Sequence, residues 1–241
     1  MQLVLPVLQT HDFSLDNFVA GSNQGVVQHL QNSVCHSADK ASGVNTSAGA
    51  APITYLYGCS GVGKTHLLLA MHQHAEAQGF SARYVDIEQV RKLPAQLIQG
   101  LGQHDVICID NIHLIAEDRE WQIALFDTLN QFLEQNPCHC IVSAKSAVKY
   151  IEFSLADLAS RLQWGTSFQL RDMEEGDKIE ALRLHFSERG VSVQNELLVF
   201  LLRRCERDMH KLVELVSTLD SMSLQQHRKL TIPFVKEALG L

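Results

Sequence analysis

Residues Gly58-Cys59-Ser60-Gly61-Val62-Gly63-Lys64-Thr65 spell G-x-x-x-x-G-K-[ST], directly behind the apolar run Ile53-Thr54-Tyr55-Leu56-Tyr57 and ahead of Leu67-Leu68-Leu69-Ala70-Met71. Strand, glycine-rich loop and helix in that order are the setting in which a backbone cradles phosphates. Gly58, Gly61 and Gly63 lack a Cβ, so the chain can curl and aim successive N–H groups at an anion beside the helix N-terminus. Gly61, Val62, Gly63, Lys64, Thr65 and His66 are therefore expected at a nucleotide, ADP or ATP. Lys64 supplies a point charge for the β- and γ-phosphates, and Thr65 a hydroxyl for Mg²⁺.

Working outward from the loop, strands and helices alternate. Strands are predicted at 53–57, 82–87, 106–110, 139–143 and 166–170, and helices at 64–78 and 118–134, with another ending near Leu162. Alternation of this kind implies a mainly parallel sheet covered on both faces. Trp121, Leu125, Phe126, Leu129, Phe132 and Leu133 recur at helical spacing, which makes them core residues. Beyond Arg171 strand signals stop. Helices are predicted at 177–189 with Gly190 as cap, 196–207 and 209–225, and a last one opens at Thr231-Ile232-Pro233. The expected organisation is a tail at 1–11, an α/β base at 12–170 and an all-helical lid at 171–241. Before the first strand, a helix is predicted at 23–36, followed by a flexible polar insertion at 37–51.

The bulk numbers bound the function. The chain has 241 residues, is 46% hydrophobic and 20% charged, and carries a formal net charge of −7. It is long enough for a substantial core and has no overall attraction for polyphosphate, so DNA is expected only indirectly, through another protein. The cysteines at 35, 59, 108, 138, 140 and 205 contain no C-x-x-C pair and mostly sit in apolar runs, which reads as free thiols in the cytoplasm. Cys138-His139-Cys140 suggests a metal, but alternation along a strand sends His139 to the face opposite the two thiols. His66, His72 and His74 share a helix without H-E-x-x-H spacing, so satisfied or solvated imidazoles are expected. No apolar run reaches membrane-spanning length, and the N-terminus lacks the pattern of a signal peptide.

Val106-Ile107-Cys108-Ile109-Asp110 brings an acid to the C-terminal end of a buried strand, where α/β sheets bind ligands. Asp110 is expected to hold Mg²⁺ directly or through water, as Thr65 does. The next residue, Asn111, can orient water but cannot take its proton as a carboxylate can, so the chain's own turnover should be slow. Ser143, at the end of the following strand, is a candidate γ-phosphate sensor.

The layout resembles AAA+ proteins: a P-loop base with a parallel five-stranded sheet flanked by helices, then a small helical lid. Phe13-Ser14-Leu15-Asp16-Asn17-Phe18-Val19-Ala20-Gly21-Ser22-Asn23 resembles the opening box F-x-x-F-V-x-G-x-x-N of bacterial DnaA-type replication initiators, which implies Phe18 and Val19 beside adenine and ribose. Asp157 to Gly165 resembles that family's later box, with Arg161 at the arginine-finger position. The alternative for Arg161 is a structural pair with Asp157 one helical turn earlier. The lid position that is an arginine in initiators falls on His210, with Lys211 beside it. Imidazole grips a γ-phosphate less well than guanidinium.

Initiators continue into a basic helix-turn-helix domain, whereas this sequence ends at Leu241 with an acidic balance, so origin binding is not expected. Gln2-Leu3-Val4-Leu5-Pro6 resembles the Q-L-x-L-[FP] peptide that docks on the DNA polymerase sliding clamp, with Gln2 giving amide hydrogen bonds and Leu3, Leu5 and Pro6 apolar anchors. Together these features resemble the Hda family, regulatory inactivators of DnaA. The resemblance implies a clamp-docked, ADP-bound negative regulator of replication initiation. In it, Arg161 acts in trans on ATP held by DnaA, and the chain is a regulatory nucleotide-binding protein, not an enzyme, with at most weak ATPase of its own. Homodimer and monomer are both left open. A helicase loader or ATP-driven remodeller of the same superfamily is the alternative, and Asn111 speaks against it.

Overall fold

The computed structural model describes residues 13–41, 52–134, 139–204 and 208–240, and of residues 35–41 and 210 the backbone alone. Among the described residues the strands are β1 (Ile53–Tyr57), β2 (Ala82–Asp86), β3 (Val106–Asp110), β4 (His139–Ala144) and β5 (Thr166–Gln169). They form one sheet in the order β2-β3-β4-β1-β5, and every neighbouring pair is parallel. The helices are α1 (Gln24–Ala41), α2 (Lys64–Ala77), α3 (Ile87–Val90), α4 (Arg119–Glu134), α5 (Ala156–Gln163), α6 (Glu175–Glu188), α7 (Asn195–Arg204), α8 (Met209–Gln226) and α9 (Ile232–Leu239).

The strands read as continuous apolar runs because both faces of the sheet are covered. Alternation still decides which face each side chain serves. Ile53, Tyr55, Ile107, Ile109, Cys140 and Val142 join Trp121, Leu125, Leu129 and Phe132 of α4 and Leu158 and Leu162 of α5, with Phe126 and Leu133 packed at the margin. Leu56, Val106, Cys108 and Ile141 face the other way, onto Leu67, Leu68 and Met71 of α2 and Val27, Leu30 and Val34 of α1. A separate core of Leu182, Phe186, Leu198, Leu201, Leu212, Val216 and Phe234 unites α6 to α9. Thr231 caps α9 by accepting from the Phe234 amide at 3.4 Å, with Pro233 in the first turn.

Most boundaries fall within two residues of expectation, and two that differ have a local cause. Helix α1 runs on to Ala41, past the predicted end at His36, because Ser37-Ala38-Asp39-Lys40-Ala41 contains no helix breaker before Gly43. Residues 42–51 of the expected insertion, and the whole tail at 1–11, lie outside the described residues. Strand β2 stops at Asp86 because that carboxylate caps α3, accepting from the Glu88 amide at 3.0 Å.

His139 illustrates how the sheet uses a polar residue. It is 1% exposed and hydrogen bonded at 2.8 Å to Thr54, whose hydroxyl also meets His29 at 3.0 Å, so the imidazole serves a buried chain on the α1 side. Cys140 points into the opposite core. Cys138 lies outside the described residues.

Burial, with a smaller push from His29, lowers the His139 pKa to about 3. An imidazole that is neutral when folded but protonates near 6.5 when unfolded gives full stability above pH 6.5. That contribution is lost as pH falls from 6.5 toward 3, at about 1.4 kcal/mol per pH unit. Urea unfolding followed from about pH 7.5 down to about 5 should show the decline, and His139→Gln should make it shallower. An identical slope in the variant would rule His139 out as the source. The start of α2 gives a second test. Gly63 has φ 91°, and a Cβ there would stand 2.8 Å from Phe18 Cε2. Gly63→Ala should therefore cost roughly 1–3 kcal/mol. By contrast, Gly176 in α6 has nothing within 4 Å of a built Cβ, and its replacement by Ala should be neutral or stabilising by up to about 1 kcal/mol.

Candidate nucleotide site

The C-terminal ends of β1, β3 and β4 and the N-terminus of α2 converge on the P-loop. Gly61 and Gly63 take φ 77° and 91°, a left-handed conformation that turns the loop tightly enough to present its amides. Lys64, 9% exposed, donates from Nζ to the carbonyls of Gly58 at 2.8 Å and Cys59 at 2.7 Å. Burial lowers its pKa, while the charges of Asp110 and Asp208 oppose that loss and Lys145 adds to it.

Asp110 is fully buried at the end of β3, and its hydrogen bonds are all accepted ones. Oδ2 accepts from Thr65 Oγ1 at 2.6 Å and from the Tyr84 hydroxyl at 3.2 Å. Oδ1 accepts from the Asn111 amide at 3.0 Å and from Ser143 Oγ. Thr65 and Asp110, predicted as a pair from motifs about forty-five positions apart, thus meet directly. Burial, followed by the charges of Asp110 and Asp86, pushes the Tyr84 phenol far upward, so it stays a hydrogen-bond donor.

Asn111 follows in a left-handed conformation, φ 61°, and its side-chain amide donates to Asp86 Oδ1 at 3.0 Å. Its polar end is thereby engaged at the tip of β2. Ser143, expected to face a γ-phosphate, is instead fully buried: it donates to Asp110 and accepts from the Asn111 amide at 3.2 Å. It braces Asp110 from the sheet side.

The opening box is divided between loop, helix and lid. Phe18 presses its ring on Gly63, while Val19 packs on the lid core. His66, expected at the nucleotide, turns toward the box: Nε2 meets the Ser14 carbonyl at 2.9 Å and Asn17 Oδ1 at 2.8 Å. The rings of Phe13 and Phe18 stand edge-on to it, each 5.2 Å away between centroids. Burial pushes His66 down to about 4, so the ring is neutral near pH 7. Asn17 in turn donates to Glu188 of α6 at 2.6 Å, and the Asn23 side chain both donates to and accepts from the Arg171 backbone at 2.9 Å. His210 lies in the first turn of α8, with its side chain outside the described set.

No motif marks Tyr84 or Asp86 as a site residue. Tyr84 and Asp86 reach the site only because β2 pairs with β3, in the register Tyr84 to Cys108 and Asp86 to Asp110. No motif encodes that adjacency. Arg161 sits apart from the loop in the last turn of α5, with its guanidinium 5.2 Å from the ring centre of Trp164, which is 75% exposed. Among the described residues no ion pair joins Arg161 to Asp157, so the structural-pair alternative is absent. Among the described residues, no cluster of three or more His, Cys, Asp or Glu is placed to hold a metal. Gln2, Leu3, Leu5 and Pro6 lie outside the described residues.

Residues 9–169 match the bacterial DnaA ATPase domain, and residues 175–239 match the lid domain of Hda. An uncharacterized protein of Haemophilus influenzae is 33% identical over 240 residues, spanning 100% of this chain and 99% of its own. The fold is similar to domain III of the Thermotoga maritima replication initiation protein DnaA, with TM-score 0.79 and 18% identity over 95% of this chain and 96% of that one. It is also similar to AMPPCP-bound DnaA from Aquifex aeolicus, with TM-score 0.65 and 18% identity over 90% and 67% of the two chains. No described helix is long and apolar enough to cross a membrane. With a DnaA-type P-loop base joined through the opening box to an Hda-type lid, the chain belongs to the DnaA-related AAA+ family as an Hda-like member.

Proposed function

We propose that this chain is a negative regulator of replication initiation that holds ADP as its resting ligand and lends Arg161 to the ATP site of a DnaA initiator. The observation that carries the reading is Asn111. At the position where an acid would activate water stands an amide, and that amide is already donating to Asp86. Asp110 beside it accepts from Thr65, Tyr84, Ser143 and the Asn111 backbone, which keeps it oriented but occupied. Such a site is built to hold a nucleotide and hydrolyse it slowly.

The residues fit the ligand. The left-handed glycines at 61 and 63 give the loop its cradle, and the Lys64 ammonium is stationed between loop carbonyls that phosphate oxygens can replace. When bound, Mg²⁺ supplies charge neutralisation to the phosphates. Thr65 would be its protein ligand, with Asp110 acting from behind through Thr65 or water. A hard cation with few protein donors suits Mg²⁺ better than any metal needing a full protein cage. Arg161, paired with no carboxylate among the described residues and set at the surface over the Trp164 ring, is available to a partner's site. A guanidinium delivered in trans to a γ-phosphate is worth roughly 10³ to 10⁵ in rate. The partners on this reading are ATP-bound DnaA and the sliding clamp, reached through Gln2, Leu3, Leu5 and Pro6, with DNA contacted only through the clamp and the protein acting in the cytoplasm.

Reconstitution with ATP-loaded DnaA, clamp and DNA tests each part. Arg161→Ala should lose stimulation of ATP hydrolysis by about 10³ or more while still binding nucleotide. Lys64→Ala should lose nucleotide binding, and Gln2→Ala with Leu3→Ala should lose clamp binding. Full stimulation by Arg161→Ala would defeat the finger. Rapid steady-state ATP turnover by the isolated chain would instead favour the ATP-driven remodeller.

A further inference from the structure

Helix α5 ends on an indole held out in water. Trp164 is 75% exposed, whereas Trp121, the other tryptophan of the sequence, is 2% exposed in the core that α4 shares with the sheet. The backbone on either side of Trp164 is held. Its amide donates to the carbonyls of Ser160 at 3.2 Å and Arg161 at 3.3 Å, which closes the helix. A Cβ built on Gly165 would stand 2.6 Å from the Ile53 carbonyl oxygen, so the next residue lies tight against β1 where only glycine fits. One residue later β5 begins, with Thr166 paired to Thr54. Bending the chain here would break these contacts, so the indole stays at the surface.

The Arg161 guanidinium lies 5.2 Å from the centre of that ring. Residues three apart on a helix are neighbours on its surface, and both side chains project from one turn of α5. A pocket that receives the guanidinium therefore meets the indole at its rim, where the ring either blocks entry or is buried. Burial is favoured on two counts. It takes a large apolar surface out of water, and it strips water from a cation–aromatic pair that is weak when exposed and stronger when dry. Tryptophan and arginine are also the residue types in which interface energy concentrates.

We propose that Trp164 is the anchor of the partner interface, seated in an apolar recess at the rim of the nucleotide site that receives Arg161. The indole supplies affinity and the guanidinium supplies rate. The proposal deepens the finger reading above and rests on it.

Two measurements on the full chain with ATP-loaded DnaA, clamp and DNA test it. In hydroxyl-radical footprinting read by mass spectrometry, Trp164 should be oxidised in the free chain and protected in the complex. In the second, ATP hydrolysis is followed against the concentration of this chain. Trp164→Ala should raise the half-saturating concentration by about 30-fold while the plateau rate stays near the wild-type value. Trp164→Phe, which keeps a ring, should lie closer to the wild type. Arg161→Ala should show the opposite split, with the plateau lost and Trp164 still protected. Melting temperatures check that each variant is folded. An unchanged half-saturating concentration in Trp164→Ala overturns the anchor, as does a lost plateau at unchanged half-saturation, or an unprotected Trp164 in a wild type that stimulates fully. In those cases the finger stands. Full stimulation by Arg161→Ala overturns the finger and this proposal with it, and a wild type that neither binds nor stimulates overturns the proposed function as a whole.

Discussion

The hydrogen bond from Thr65 to Asp110 is the constraint on which the rest of the site depends. A fully buried carboxylate is costly unless its oxygens are satisfied, and here they are satisfied by donors from separate elements. Thr65 comes from the first turn of α2, Tyr84 from β2, Ser143 from β4 and the Asn111 amide from the chain leaving β3. The P-loop helix is thereby fixed to the sheet at the strand ends. Removing any donor would leave part of a buried charge unmatched, which costs more than the lost bond alone.

Outside that node, the opening box works as a joint. Its residues are divided between structures that would otherwise have little reason to meet. Phe18 seals Gly63, His66 grips Ser14 and Asn17, Asn17 reaches Glu188, and Val19 enters the lid core. Two oxygen acceptors at Nε2 require that nitrogen to carry the proton, and burial keeps the ring neutral against their pull. The segment therefore couples the loop's conformation to the lid's position through packing and hydrogen bonds. Asp208 adds an electrostatic contact across the same junction.

The division of labour among polar residues at the strand ends was only partly legible beforehand. Thr65 and Asp110 are both expected at the nucleotide because each belongs to a spaced motif with a fixed topological meaning, and the fold brings them within hydrogen-bond distance. Ser143 was identified as standing at a strand end, but whether a strand-end hydroxyl faces a ligand or a neighbouring strand depends on the pairing of β3 with β4. The same holds for Asn111. Its chemistry as an amide could be read directly, and its engagement with Asp86 could not, because it needs β2 beside β3.

The sequence by itself determined the class of fold, the P-loop, the second motif at Asp110 and the helical lid, because strand-loop-helix order, apolar runs and capping residues act over short distances along the chain. It also carried the boxes that mark the DnaA-related family. The tertiary structure decided the rest: the order β2-β3-β4-β1-β5, the burial of Ser143 behind Asp110, the turn of His66 toward the opening box, and the approach of Asp208 to Gly61. Each of these joins residues far apart in sequence, and such contacts are fixed by sheet register and by how the lid packs on the base, which local spacing does not encode.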